Sequence, residues 1–122
     1  MDSEEFVRVV KLTCSDNKGE ENVRSLRNPP GRRPSAKLQR LSKWFHQLSP
    51  ENQAGLAEAL NDAAEGAVFG LLCILDGVRA IESGPDKGRL ELYYVNGEQR
   101  VLLNDPAREE LHNLFPGMRS FE

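Results

Sequence analysis

Within residues 89–104, two β-rich runs flank the dipeptide Asn96-Gly97. Asn-Gly suits a two-residue hairpin turn whose central positions both need positive φ. No other feature constrains the chain as much, because it places an antiparallel hairpin near the C-terminal end. With Asn96 and Gly97 as the turn, Val95 faces Glu98 and the register follows. Leu92 then pairs with Val101, Leu90 with Leu103 and Tyr94 with Gln99 on one face. Tyr93 pairs with Arg100 and Glu91 with Leu102 on the other. The first face is apolar and is expected to meet helices.

Helical patterns fill the chain before the hairpin. Ser3 is expected to cap a first helix with Phe6, Val9, Val10 and Thr13 on one side, although the alternation around Val7 and Val9 also fits a strand. Asp16-Asn17-Lys18-Gly19 ends that element, and residues 20–26 have the composition of a short helix. The stretch 28–34, Asn-Pro-Pro-Gly-Arg-Arg-Pro, is a loop, since each proline lacks an amide donor and restricts its predecessor. Ser35 caps the next helix, in which Leu38, Leu41, Phe45 and Leu48 share a face. Ser49-Pro50-Glu51 has the residues of another helix start. The small residues that follow it, among them Ala63, Ala64 and Ala67, suggest close packing.

Residues 67–83 can be read in two ways. Leu71, Ile74, Leu75, Val78 and Ile81 follow a helical face, whereas Asp76-Gly77 is also a hairpin signal. The helical reading is preferred because the spacing continues across Asp76-Gly77. Asp105-Pro106 opens a last short helix that turns Leu111, Leu114 and Phe115 inward and stops at Pro116-Gly117. The expected core includes Leu41, Phe45, Leu60, Leu71 and Leu75. The fold class is therefore α+β: helices packed on a C-terminal antiparallel β-hairpin followed by a short helix. The chain is read as a single domain over 1–122, with a loop at 28–34, a helical core at 35–83, the hairpin at 89–104 and a terminal helix at 105–115.

Charge is unevenly distributed in this chain of net charge −3. Residues 22–50 carry +7 and no acid, residues 1–21 carry −3, and residues 51–122 carry −7. On a helix turning about 100° per residue, Arg33, Lys37, Arg40 and Trp44 fall in one sector beside the apolar face. Such a stripe can meet an acidic protein surface. It can also hold phosphates while Trp44 stacks on a base, or serve as a solvated face offset by the acidic second half. The negative net charge argues against non-specific nucleic-acid binding. Tyr93 and Arg100, on the outer hairpin face, form a second candidate surface.

Catalytic and metal signatures do not stand out. Glycine loops for phosphates or dinucleotides, paired CxxC and HExxH motifs are all missing from the sequence. Glu109 and His112 have the Glu-x-x-His spacing of helical carboxylate metal sites, but those sites use two such motifs and further glutamates. No metal, cofactor or catalytic residue is expected. A thiol–imidazole pair of Cys73 with His46 or His112 is set aside because the surroundings of Cys73 are apolar. The longest uncharged apolar run, Ala67 to Leu75, has nine residues, against about 20 for a membrane span. Two distant cysteines, both expected to be reduced, and the lack of a signal segment fit a cytoplasmic protein.

The stretch Phe69-Gly70-Leu71-Leu72-Cys73-Ile74-Leu75-Asp76-Gly77-Val78-Arg79, followed by Leu90-Glu91-Leu92-Tyr93-Tyr94, resembles segments of small uncharacterised bacterial proteins. The likeness covers at most the second half of the chain and implies no catalytic residue. In size and acidity the chain is also similar in build to immunity proteins that neutralise bacterial toxins. That resemblance implies a non-enzymatic module that occludes a partner's surface, of immunity or adaptor type. The expected partner is a protein with an acidic surface, contacted by Arg33, Lys37, Arg40, Trp44, Tyr93 and Arg100. The alternative is a nucleic-acid-binding regulator using the basic helix face. A homodimer is compatible with the sequence.

Overall fold

The computed structural model describes residues 1–115. Four helices, α1 (Ser3–Cys14), α2 (Lys18–Arg27), α3 (Ala36–His46) and α4 (Pro50–Leu75), precede strands β1 (Tyr93–Asn96) and β2 (Gln99–Leu102). A 3-10 turn, Leu111–Leu114, follows them. The fold is α+β with a C-terminal antiparallel hairpin. Two compact units divide the chain: a terminal unit of Met1–Ser15 with Glu65–Glu122, and a central unit of Asp16–Ala64. Among the described residues, no helix is long and apolar enough to cross a membrane.

In the central unit, Asn17 takes the left-handed conformation (φ 60°) just before α2, which Asn tolerates better than most residues. Ser35 caps α3, its hydroxyl accepting from Leu38 N–H at 3.1 Å. Ser49 does the same for Asn52 N–H at the start of α4. Val23, Phe45 and Ala57 form the core, with Leu26, Leu48, Leu56 and Leu60 packed against them. Gly19 shows why small residues matter here. A side chain at this position would run into the main-chain carbonyl of Ala57, and the Gly19 N–H donates to Asn61 Oδ1 at 2.7 Å. The Ser42 hydroxyl donates to Leu26 O, joining α3 to α2.

In the terminal unit, Val7, Leu72, Leu111 and Phe115 make the core, lined by Phe6, Val68, Phe69, Leu75 and Leu114. Helix α1 is capped by Asp2, whose carboxylate accepts from Glu5 N–H at 2.8 Å. Ser3, the expected cap, is instead a buried helical residue that donates its hydroxyl to Leu103 O at 2.7 Å. This contact turns the face containing Ser3, Phe6, Val7 and Val10 inward, so Val9 and Thr13 are exposed.

Helix α4 reaches Leu75 but does not continue to residue 83. Gly77 adopts φ 77°, its N–H donates to Ile74 O, and Val78 N–H donates to Cys73 O. These paired bonds are a Schellman motif, which ends a helix by satisfying its last carbonyls. Asp76-Gly77 is thus a helix stop, neither mid-helix nor a hairpin turn. The termination also corrects the expected core. Val78 and Ile81 do not extend the helical face, and Leu71 is 55% exposed. Phe45 is fully buried, whereas Leu41, Leu60 and Leu75 are half-buried.

The hairpin forms in the expected place with a shifted register. Tyr93 pairs with Leu102, Tyr94 with Val101, Val95 with Arg100, and Asn96 with Gln99. The turn is therefore Gly97-Glu98. Gly97 alone has positive φ there (61°), which is the II′ arrangement with glycine first. The reason lies at the foot of the hairpin. Leu103 N–H donates to Leu92 O at 2.8 Å, and Asn104 Oδ1 accepts from Leu92 N–H at 2.8 Å. The Asn104 amide also donates to Leu75 O and Leu90 O.

The terminal helix expected over 105–115 is instead an irregular segment and one 3-10 turn. Its first amides are held by Asp76, which accepts from Leu111 N–H at 3.0 Å and His112 N–H at 2.8 Å. Leu111 and Phe115 are buried as expected, and Leu114 is half-buried. The expected stop at Pro116-Gly117 lies outside the described residues.

Candidate functional site

The loop over 28–34 delivers the chain to the cap of α3, and the cap fixes which basic residues belong to the helix. Lys37, Arg40 and Trp44 are separated by three and four residues and share one exposed sector. Phe45 on the adjacent sector anchors the helix with no exposed surface. Arg33 is exposed but stands before the Ser35 cap, so it belongs to the loop and not to the helical stripe. A helix cannot extend back to it because Pro34 and Ser35 end the helical backbone.

The indole of Trp44 is 45% exposed, unusual for a large aromatic on a small domain. Among the described residues, no ion pair or side-chain hydrogen bond engages Arg33, Lys37 or Arg40. Two other cations of the +7 segment have structural roles. The Arg27 guanidinium lies 5.5 Å from the centroid of the Phe45 ring. Lys43 sits in the last turn of α3, where a cation complements the helix dipole. Lys37, Arg40 and Trp44 thus form an exposed cationic sector with one aromatic, suited to an anionic surface, and the exposed Arg33 stands in the loop before it.

Tyr93 and Arg100 belong to the terminal unit. They are diagonal neighbours rather than directly paired, and the Arg100 guanidinium lies 4.0 Å from the Tyr93 ring centroid. At that distance the cation meets the negative face of the ring. Tyr93 is half-buried and Arg100 exposed, with Val95 beside them on the same face. The site residues therefore divide between the two units, with Arg33, Lys37, Arg40 and Trp44 in the central unit and Tyr93 and Arg100 in the terminal unit.

The histidines and Cys73 do not form the thiol–imidazole pair considered from sequence. His46 Nδ1 contacts Ser42 O at 2.8 Å, and His112 Nδ1 contacts Asp76 Oδ2 at 2.6 Å. Cys73 is buried, and desolvation pushes its thiol pKa upward, with Asp76 and Glu110 adding to the rise against Arg79. Asp76 is the functional-group residue that sequence reading passed over. Its contact with a residue 36 positions away has no local signal, and its Gly77 neighbour pointed to turn chemistry alone. Comparison with protein-family models, curated proteins and solved structures finds no match.

Proposed function

We propose that this chain is a non-enzymatic, cytoplasmic protein-binding module that occludes an acidic surface of its partner, in the manner of an immunity or adaptor protein. The exposed α3 sector of Lys37, Arg40 and Trp44 carries this reading, because its cations lack carboxylate partners among the described residues. Arg33 extends the patch in sequence, and Tyr93 with Arg100 supplies a second contact group. Interface anchors are enriched in Trp, Tyr and Arg, and opposite charges accelerate encounter. The free thiols, one of them exposed, fit a reducing compartment.

Trp44 between cations supports a second reading, in which the same patch holds single-stranded nucleic acid by stacking and phosphate contact. The two readings are separated by capture from native lysate on immobilised wild-type and K37E/R40E chains, with and without nuclease. The protein-binding reading predicts acidic proteins retained by the wild type, lost with the double variant and indifferent to nuclease. Retention abolished by nuclease transfers the function to nucleic acid. Identical retention by both chains contradicts any role for this face.

A further inference from the structure

We propose that Asp76, Glu110 and His112 form a binding site for a divalent transition metal of zinc-like character. One ligand atom from each residue lies within 4.8 Å of the other two. Glu110 Oε2 is 3.9 Å from His112 Nδ1, which in turn is 2.6 Å from Asp76 Oδ2. The glutamate concerned is not the one that helical spacing selects. Glu109 and His112 would share a face on an α-helix, but the segment is a 3-10 turn entered from an extended residue. Glu110 at that entry (φ −67°, ψ 143°) supplies the second carboxylate. The third ligand comes from the end of α4.

The electrostatics at that helix end independently call for a cation. Asp76 lies immediately after Leu75, where the helix dipole is negative. Its side chain is only 3% exposed, and a cation beside it complements the negative helix end. Glu110 adds a second negative charge close by. Two main-chain amides donate to Asp76, and the imidazole is its only ion-pair partner among the described residues. The Arg79 guanidinium faces Gly70. The His112 imidazole is hydrogen-bonded to Asp76 Oδ2 at 2.6 Å, with Glu110 Oε2 3.9 Å from the same nitrogen. Metal ligands stand farther apart than this hydrogen bond, so binding moves the imidazole away from Asp76 as the metal takes the proton's place. One imidazole with two carboxylates suits zinc, whereas magnesium and calcium favour all-oxygen sites.

The test is calorimetric titration of the chelator-stripped full chain with zinc chloride. It is repeated on Glu110→Gln and His112→Asn, with circular dichroism to establish that each variant is folded. Glu110→Gln leaves the Asp76–His112 contact and both Asp76–amide bonds in place, so it keeps the test sound if His112→Asn fails to fold. The expected result is one saturable equivalent in the wild type, undiminished by excess magnesium, and about tenfold or more weaker in Glu110→Gln. That factor is at least what loss of an outer-shell partner costs. Absence of saturable binding in the wild type overturns the proposal, as does unchanged affinity in folded Glu110→Gln, which would place the metal elsewhere.

Discussion

The side-chain amide of Asn104 donates to the main-chain carbonyl of Leu75 at 2.7 Å, fastening the foot of the hairpin to the last turn of α4. The same side chain bonds both the carbonyl of Leu90 and the amide of Leu92. A buried asparagine with three main-chain partners is a specific constraint, since losing these bonds leaves part-buried polar groups unsatisfied. Replacing Asn104 by Ala is expected to cost about 2–4 kcal/mol, the sum of several such losses. Urea denaturation measures it. A midpoint within error of wild type would show that the fastening contributes nothing.

Register is where sequence and structure differ most clearly, and the difference is testable. The shift moves one strand by two residues relative to the other, so Tyr93, Val95, Arg100 and Leu102 still share a face. Side-chain alternation has period two and cannot detect such a slip. The turn dipeptide was the only local evidence, and the distant anchor at Asn104 overrides it. With Gly97-Glu98 as the turn, Gly97→Val forces a β-branched residue to φ 61° and should cost about 1 kcal/mol or more. Asn96→Val lands on a paired strand residue and should be nearly neutral. Comparable losses from both substitutions would restore Asn96-Gly97 as the turn.

The sequence marks Gly19 only as part of an element boundary. No local pattern reveals that the Ala57 carbonyl occupies the space beside it. Gly19→Ala is expected to destabilise the protein by about 1–3 kcal/mol or more, as overpacking does when the obstacle is backbone. Thermal unfolding followed by circular dichroism reads the effect. An unchanged or raised midpoint would remove the close approach of α2 to α4. By contrast, Phe45 was legible as core, because its face was set by caps and spacing within one helix. Leu71 is exposed: the helix stops at Gly77, so the spacing that continues to Val78 and Ile81 does not define the buried face of α4.

The two cysteines should differ in reactivity. Cys14 is exposed, whereas Cys73 is buried, and desolvation, the largest cause, pushes its pKa above the ordinary thiol value. Alkylation near pH 8 should modify Cys14 in the folded protein and reach Cys73 only on unfolding, because the thiolate is the nucleophile. Raising a thiol pKa on folding favours the protonated form. Its stabilising contribution is full below the unfolded-chain pKa and is lost as pH rises through the folded value. Stability should therefore fall in the alkaline range more steeply for wild type than for Cys73→Ala. Rapid labelling of native Cys73, or parallel alkaline profiles, would contradict this placement.

The basic face of α3 was legible as a charge pattern but not in its full extent. Helical spacing groups Arg33 with Lys37 and Arg40, while the Ser35 cap divides loop from helix. The central claim is that Lys37 and Arg40 serve a partner rather than the protein's own fold. The most direct measurement is stopped-flow association of K37E/R40E with the captured acidic partner across ionic strengths, alongside its urea midpoint. Unpaired exposed charges should leave stability within about 1 kcal/mol of wild type. Association should slow markedly at low salt and lose most of its salt dependence. Unaltered association together with a substantial loss of stability would show that the stripe neutralises the protein's own acidic half, and the interface account would fall.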